Sequence, residues 1–316
     1  MPLTNKLGLP DLVRRVIEAD PYSKGDSDFS VTELLNPAPQ AYLQRHFSHE
    51  VTEDIADRLY SLYGQMTHYV LELGAQGSDI AEKRFFAPIS IPELRKERFM
   101  ISGQADLIES DWNRSVLTDW KTTSVWQVVN INSPESDTKH HWEAQLNMLA
   151  WLVNKNHQMM SGTATPEGSN SIPVPKPITD IQIIVFMRDW SPNGKYRSSD
   201  YPRVGVQKIV LDLWDLDKTE NFIKEKIKDH FSQDGSSICS PDERWQGQDK
   251  WAVMGKNRKS AFRVLDSEDA CKAWMKENGK GDYIEQRIGE PKRCLDYCSV
   301  KHLCEFGQSL EVKEAA

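Results

Sequence analysis

Residues 103–122 read GQADLIESDWNRSVLTDWKT, two apolar runs on either side of a polar turn centred on residues 111–115. This pattern predicts a β-hairpin. Asp106 lies in the first predicted strand, and Asp119 and Lys121 lie two positions apart in the second. Side chains two residues apart in a strand point to the same face, so the Asp119 carboxylate and the Lys121 ammonium are expected to project together, with Asp106 beside them.

Charged residues that alternate with apolar ones in a hairpin usually form a solvated face. Here Leu117 shares the predicted face of Asp119 and Lys121, and Val116 and Trp120 occupy the other face. Burying a charged pair among apolar residues is costly unless the charges are paired or bound to a metal ion. The hairpin is therefore interpreted as a metal site with a cation next to it.

Composition is that of an ordinary globular protein: 316 residues, 39% hydrophobic and 27% charged, with a mean hydropathy of −0.60. The sequence has no apolar run of membrane-spanning length and no apolar core of a signal peptide near its start, which predicts an intracellular, cytoplasmic protein without a membrane partner. The net charge of −8 argues against a chain that coats nucleic acid through a broad basic surface, but it leaves room for a local basic groove.

Three regions are predicted along the chain: an N-terminal helical region (1–50), a core (51–235) and a C-terminal module (236–316). The core pattern gives a helix at 51–74, strands at 82–91, 98–109 and 116–123, a helix at 141–155, strands at 181–187 and 204–211, and a helix at 216–231. This order suits an α/β fold with a mixed central sheet flanked by helices. The C-terminal module reads as a hairpin, a helix and a strand followed by cysteines, a small α+β unit.

The order Gly103-x-x-Asp106 followed by Asp119-x-Lys121, within helix, three strands and helix, resembles the PD-(D/E)xK nuclease superfamily. More closely, it is similar to the RecB-type exonuclease branch, which includes phage and CRISPR-associated exonucleases. The resemblance implies a restriction-endonuclease-like fold and cleavage of DNA. A phage-encoded protein in a bacterial host fits it.

Two further positions match that branch. His68 lies upstream of the sheet in Gly64-x-x-x-His68-x-x-x-Glu72, where these nucleases carry a metal-binding histidine. Gln145 lies where the family has Gln-x-x-x-Tyr, but the fourth position after it is Leu149. The matched motifs run from about Gly64 to Leu149.

The resemblance and the residue types together imply a Mg²⁺ or Mn²⁺ site with His68, Asp106 and Asp119 as ligands, because hard oxygen ligands suit these ions. Lys121 is expected to orient the attacking water and to stabilise negative charge, and Gln145 to position the substrate or a ligand. Glu82, at the start of the first core strand, is an additional candidate.

All five cysteines lie in the last third of the chain, which suggests a metal site in an intracellular protein. Cys294, Cys298 and Cys304 are close in sequence, and a fourth ligand is expected from Cys239 in a loop, whereas Cys271 in a predicted helix reads as a buried apolar residue. Several RecB-type exonucleases hold an iron–sulfur cluster, which makes that the first expectation; zinc and unligated thiols stay open. This chain departs from that pattern, because its distant cysteine follows the core and its first pair is spaced by three residues.

The predicted function is therefore a divalent-metal-dependent DNA exonuclease that acts on single- or double-stranded ends in end processing, recombination or degradation. A nuclease-fold binding or interaction module with weak or no catalysis in a recombination or replication complex is the alternative. A third reading is a structural protein with a metal-stapled tail. No Walker-type phosphate-binding motif occurs, so helicase activity would have to come from a partner.

Overall fold

The computed structural model describes residues 3–19, 23–133, 137–161, 176–196 and 198–314. The strands and α-helices in chain order are β1 (Leu3–Thr4), α1 (Asp11–Glu18), β2 (Phe29–Ser30), α2 (Val31–Leu35), α3 (Ala38–His46), β3 (Glu53–Asp54), α4 (Leu59–Glu72), β4 (Ile80–Ile89), β5 (Phe99–Ser110), β6 (Ser115–Thr123), α5 (Val125–Val129), α6 (Thr138–Ser161), β7 (Asp180–Met187), β8 (Val206–Leu211), α7 (Leu216–Phe231), β9 (Lys250–Met254), β10 (Arg263–Leu265), α8 (Glu268–Asn278), β11 (Tyr283–Arg287) and α9 (Glu305–Glu314).

Contacts divide the chain into two compact units. The sheet unit comprises Pro2–Asn36 and Thr52–Ser232, and the cysteine unit comprises Pro37–Val51 and Gln233–Ala316 together with Met1. Within the part of the chain that is described, no helix is both long enough and apolar enough to cross a membrane.

The sheet unit is built on a six-stranded mixed sheet flanked by helices, so the predicted α/β class with a mixed central sheet is confirmed. β6 pairs in parallel with β7, while β4–β5, β5–β6 and β7–β8 are antiparallel and β2–β5 is parallel. The predicted hairpin at 103–122 is the β5–β6 pair. Its turn is held by the Asp111 carboxylate, which accepts hydrogen bonds from the backbone N–H groups of Asn113 and Arg114.

The pairing of β5 leaves a gap on one of its edges. β4 pairs with β5 along residues 99–108, so β2 and β6 share the other edge. β2 pairs there at Ile101 and Ser102, and the β6 ladder begins only at Leu107, opposite Thr118. Residues 103–106 of β5 therefore lie where neither neighbour continues the ladder, and Asp106 is in this gap.

Gly103 is explained by close packing. A Cβ at this position would lie 2.5 Å from Leu149 Cδ2, 2.9 Å from Leu152 Cδ1 and 3.0 Å from Val31 Cγ2. The central helix α6 packs on the sheet with Leu146, Leu149 and Leu152 buried, so a larger residue at 103 would have to displace the side-chain ends of Leu149 and Leu152 from the core. The glycine of the Gly-x-x-Asp motif thus leaves room for the leucine side chains of α6 against β5.

One predicted helix is divided in the structure. The capping-box spacing of Ser30 and Glu33 predicts a helix continuing to about residue 47, and the Ser30 side chain does accept from Glu33 N. The helix ends at Leu35, and Asn36 has an extended backbone (φ −73°, ψ 153°). Pro37 causes the break, because the residue before a proline disfavours the helical conformation.

The cysteine unit contains a three-stranded antiparallel sheet in the order β10-β9-β11, with α8 packed on it. Cys271 on α8 is buried and its thiol donates to Trp251 O at 3.2 Å, which confirms its predicted burial. Leu43, Val51 and Val300 form a separate small core, against which Cys298 and Cys304 pack.

Candidate metal and catalytic site

The candidate site lies in the sheet unit, where three side chains converge. His68 on α4, Glu82 on β4 and Asp106 on β5 each offer a ligand atom, and these atoms lie within 4.8 Å of one another. We refer to these three residues as the ligand group. Such a group can hold a metal ion.

Contacts within the ligand group are short. His68 Nδ1 lies 2.9 Å from Glu82 Oε1, in hydrogen-bond geometry, and 3.7 Å from Asp106 Oδ1. Glu82 Oε2 accepts from Gln104 Nε2 at 2.6 Å, and Asp106 Oδ2 accepts from the backbone N–H of Trp120 at 2.8 Å. Each carboxylate is thus oriented by a donor outside the ligand group, as in metal sites whose ligands are held by a surrounding shell of hydrogen bonds.

The backbone of Glu82 is unusual. Its φ is +47°, in the left-handed region that a residue with a side chain rarely adopts. The β4–β5 register pairs Ala81 with Leu107 and Lys83 with Ala105, so Glu82 falls opposite Asp106 without a ladder partner. Strained backbone persists where the surrounding structure enforces it, and here it accompanies a carboxylate directed at His68.

Next to the ligand group, three residues form a closed set that we call the lysine triangle: Asp119, Lys121 and Gln145. Lys121 Nζ donates to Gln145 Oε1 at 3.0 Å, and Gln145 Nε2 donates to Asp119 Oδ1 at 3.2 Å. Lys121 Nζ lies 2.8 Å from Asp119 Oδ2, but this ion pair lacks hydrogen-bond geometry, and Oδ2 has no hydrogen-bond partner among the described residues. The lysine is therefore held by two neighbours, and Asp119 Oδ2 is engaged only by its ion pair with Lys121.

The electrostatics of the site favour a cation. Burial, followed by the charge of Asp119, raises the pKa of Asp106 to about 8. The pKa of His68 is raised as well: burial opposes this, but the hydrogen bond with Glu82 and the Asp106 charge outweigh it. For Glu82, burial is likewise outweighed, and its bonds with His68 and Gln104 lower its pKa.

These features form a test of whether the residues fit a divalent metal ion. Asp106 and Asp119 are both nearly inaccessible, the former 8% and the latter 2% exposed, and their charges repel each other. Asp119 Oδ2, which has an ion pair with Lys121 but no hydrogen bond, and the ligand group supply oxygen and imidazole donors. The donor set fits a hard or borderline divalent cation.

The structure thus places all five sequence-predicted residues, His68, Asp106, Asp119, Lys121 and Gln145, in two adjoining sets. His68 and Asp106 lie at ligand distance with Glu82, and Asp119 lies with Lys121 and Gln145. Gln104 was not identified from the sequence. Its position two residues before Asp106 in a predicted strand places it on the Asp106 face, and that spacing could have indicated it.

The four predicted cluster cysteines, Cys239, Cys294, Cys298 and Cys304, line one apolar cavity of the cysteine unit. Among the described residues, however, no three of the sulfurs come within 4.8 Å of one another. Burial raises the pKa of the Cys239 thiol to about 12, with Glu243 and Cys298 adding to the shift, and burial also raises the pKa values of Cys294 and Cys298. Burial thus favours the thiol form of Cys239, Cys294 and Cys298, the four cysteines do not form an assembled ligand set, and no catalytic step is assigned to the cavity.

Comparisons with known proteins add little. No protein family matches the chain, and no curated protein matches it. A solved structure described as "Crystal structure of SSO0001" aligns with a TM-score of 0.43 and 14% identity, over 69% of this chain and 84% of that one. A likeness at this level carries no argument, so the function is argued from the site.

Proposed function

We propose that this chain is a divalent-metal-dependent deoxyribonuclease of the RecB-type PD-(D/E)xK kind, acting as an exonuclease on DNA ends. The observation that carries the proposal is the ligand group of His68, Glu82 and Asp106 beside the lysine triangle. Phosphodiester hydrolysis can be catalysed by a metal ion held by carboxylates, together with an oriented ammonium group that stabilises negative charge.

The proposal assigns the ligand group, together with Asp119 Oδ2, to Mg²⁺ or Mn²⁺, with the imidazole of His68 favouring acceptance of Mn²⁺ beside Mg²⁺. A bound ion would supply an activated water and neutralise charge at the phosphate. The protein residues hold the geometry: Trp120 N fixes Asp106, and Gln104 fixes Glu82.

Lys121 is assigned to the reacting phosphate. Its ammonium is held by Asp119 and Gln145 at the edge of the ligand group, with its side chain partly exposed. From there it would orient the attacking water and stabilise negative charge that develops on the phosphate oxygens. Gln145 contacts both Lys121 and Asp119, so its role is to position these two residues.

Two further parts of the proposal rest on the sequence resemblance. The fold is assigned to the restriction-endonuclease-like class, and the cysteines to an iron–sulfur cluster, with zinc as the alternative metal. An intracellular setting, in a bacterial host and of phage origin, is proposed together with a role in recombination or degradation and a helicase partner. The five free thiols support a reducing compartment.

The test is digestion of end-labelled single-stranded DNA, end-labelled duplex DNA and closed circles with Mg²⁺, Mn²⁺ or EDTA. We expect cleavage of linear DNA with either ion and none in EDTA. Lys121→Ala should reduce cleavage by at least ~1,000-fold, the scale of losing one preorganised transition-state donor, without loss of folding. Lys208→Ala, which removes an exposed lysine from β8 of the same sheet, is the matched control and should cleave normally.

Full activity of a folded Lys121→Ala protein would overturn the assigned mechanism. DNA binding by a folded wild-type protein without metal-dependent cleavage would instead favour the binding-module alternative. Cleavage of closed circles would replace the exonuclease assignment with an endonuclease.

A further inference from the structure

The helix that carries His68 has an exposed apolar face. Leu59, Tyr63, Met66, Val70 and Leu73 are spaced by four, three, four and three residues, which in the sequence predicts the packed face of a helix. In the structure these five residues are all exposed, and α4 has no fully buried residue. A face of this kind next to a candidate active site indicates a binding surface.

The N-terminal part of this face is aromatic and carries a cation. Tyr60 is 62% exposed, and its ring centroid lies 6.4 Å from that of Tyr63. The guanidinium of Arg188 lies 4.4 Å from the Tyr60 ring centroid. Arg188 follows β7, and its backbone N–H donates to Thr123 O at the end of β6, the strand that carries Asp119 and Lys121.

Arg188 is exposed, and among the described residues no carboxylate forms an ion pair with it. This guanidinium distinguishes between the two classes of partner that an apolar helix face can bind. A protein partner packed over Tyr60 would have to bring a carboxylate to this position, because burying an unpaired cation is costly. A nucleic acid strand would supply phosphates to Arg188 and bases to the tyrosine rings.

The distance between Tyr60 and the candidate metal site suits a nucleic acid strand that contacts both. Tyr60 precedes His68 by eight residues on one helix, which is about 12 Å at ~1.5 Å per residue. That length corresponds to about three or four stacked nucleotides at ~3.4 Å each. Exposed ring faces stack on bases that are not already stacked in a duplex, so the surface favours single-stranded DNA.

We propose that Tyr60, Tyr63 and Arg188 form a base-stacking platform that holds single-stranded DNA a few nucleotides from the candidate metal site. The proposal deepens the proposed nuclease function and rests on it for the identity of the ligand. In this proposal, the platform binds the unpaired strand at the end of a DNA substrate.

The experiment measures binding and not cleavage, in EDTA, by fluorescence anisotropy of a labelled oligo-dT strand and of a blunt duplex. The variants are Tyr60→Leu, Tyr63→Leu and Arg188→Gln; leucine keeps an apolar side chain and a high helix propensity but removes the aromatic ring. Trp112→Leu is the matched control, because Trp112 is 88% exposed in the β5–β6 turn, at the other end of β6 from Thr123.

We expect each tyrosine variant to bind oligo-dT roughly tenfold more weakly, which is the scale of losing one base-stacking contact. Arg188→Gln should weaken binding and reduce the slope of log affinity against log salt by about 0.7, the value for one phosphate contact in a single strand. Replacing the bases by abasic sites should weaken binding to the wild type more than binding to Tyr60→Leu, and it should have little effect on the Tyr60→Leu/Tyr63→Leu double variant. Trp112→Leu should bind like the wild type.

Unchanged oligo-dT affinity of Tyr60→Leu and Arg188→Gln, or preferential binding of the blunt duplex, would overturn the platform. Self-association of the wild type that Tyr63→Asp abolishes, with DNA binding unaffected, would overturn it in favour of a protein-binding face. If the binding variants behave like the wild type, the platform is wrong, but the cleavage assays with Lys121→Ala still test the nuclease proposal. If no cleavage is found, the nuclease proposal is wrong, but the binding measurements still test the platform.

Discussion

The candidate site in the sheet unit and the cysteine cavity differ in how their metal-ligand side chains are positioned. In the sheet unit, Glu82 and Asp106 come from paired strands, and the β4–β5 register places Glu82 opposite Asp106, at a position where the ladder is interrupted and the Glu82 backbone is left-handed. The four cavity cysteines come from a loop and from short irregular turns, which have no ladder to fix their spacing. The pairing of β4 with β5 helps to preorganise the first site, whereas no ladder fixes the spacing of the cavity cysteines.

The two sites also differ in the hydrogen bonds that stabilise the charged form of their side chains. Glu82 keeps its carboxylate because His68 and Gln104 hydrogen-bond to it and lower its pKa. The thiols of Cys239 and Cys298 have few compensating donors, and burial raises their pKa values. A metal ion would therefore find Glu82 already charged in the sheet unit, but it would have to displace the proton of Asp106, whose pKa is raised to about 8, as well as the protons of Cys239 and Cys298.

The largest expected effect is that of Asp106→Asn, which separates function from stability at the preorganised site. Burial and the charge of Asp119 raise the pKa of Asp106 to about 8, and this costs stability at every pH above the unfolded value of about 3.9. The neutral asparagine removes that cost, so the melting temperature in EDTA should rise, and it should rise more at pH 8 than at pH 5. It also removes a ligand, so metal-dependent cleavage should fall by at least ~100-fold. Calorimetry in EDTA and end-labelled digestion measure the two effects; a variant that cleaves like the wild type would show that Asp106 is not a ligand.

The next prediction tests whether a metal ion or cluster brings the four cavity cysteines together. Cys298→Ala should lose the metal of the anaerobically purified protein, seen as loss of absorbance at about 400 nm for an iron–sulfur cluster or of zinc by elemental analysis. Cys271→Ala is the control, since Cys271 is buried outside the cavity and should leave the metal content unchanged. Wild-type protein that contains neither iron nor zinc would remove the cluster from the proposal.

The smallest expected effect is the loss of stability on substitution of Asp28, a carboxylate outside the candidate site that is already hydrogen-bonded. Asp28 accepts from Arg95 and from Met100 N, both at 2.7 Å; burial opposes its ionisation, but these bonds outweigh burial and lower its pKa. A lowered pKa means that this stabilisation is present above the unfolded value of about 3.9 and is lost as the pH falls through the folded value.

We therefore expect Asp28→Asn to reduce the free energy of unfolding by about 1 kcal/mol at pH 7, after allowance for solvent screening of this partly exposed pair. The difference from the wild type should vanish in strong acid, and cleavage should be unaffected. Denaturant unfolding at several pH values checks this. A loss of cleavage as large as that of Asp106→Asn would mean that the two carboxylates do not differ in role.

Much of the fold could be predicted from the sequence. The two apolar runs around Asp111 gave the β5–β6 hairpin, and the helical period gave α6 and α7, because these patterns are local. The break at Pro37 is also local, and the proline could have indicated it. The placement of Glu82 could not be predicted, since its left-handed backbone and its position opposite Asp106 depend on strand register.

The helix α4 is a second feature that the sequence predicts only in part. Its spacing identified which residues share a face, but the structure leaves that face exposed. Periodicity records which side chains lie together and contains no information about what covers them. The exposure of Tyr60 and its contact with Arg188, 128 residues later in the chain, exist only in the folded protein.

By itself, the sequence determined that Asp119 and Lys121 share a strand face, that Asp106 precedes them on a paired strand, and that a glycine stands at position 103. These follow from the two-residue period of a strand and from the hairpin connection. The sequence resemblance named His68 as a ligand and Glu82 as a further candidate, but only the tertiary structure decided that both lie within 4.8 Å of Asp106 and that Gln145 hydrogen-bonds to the lysine. The physical reason is that contacts between distant segments depend on register and helix packing, which no local pattern specifies.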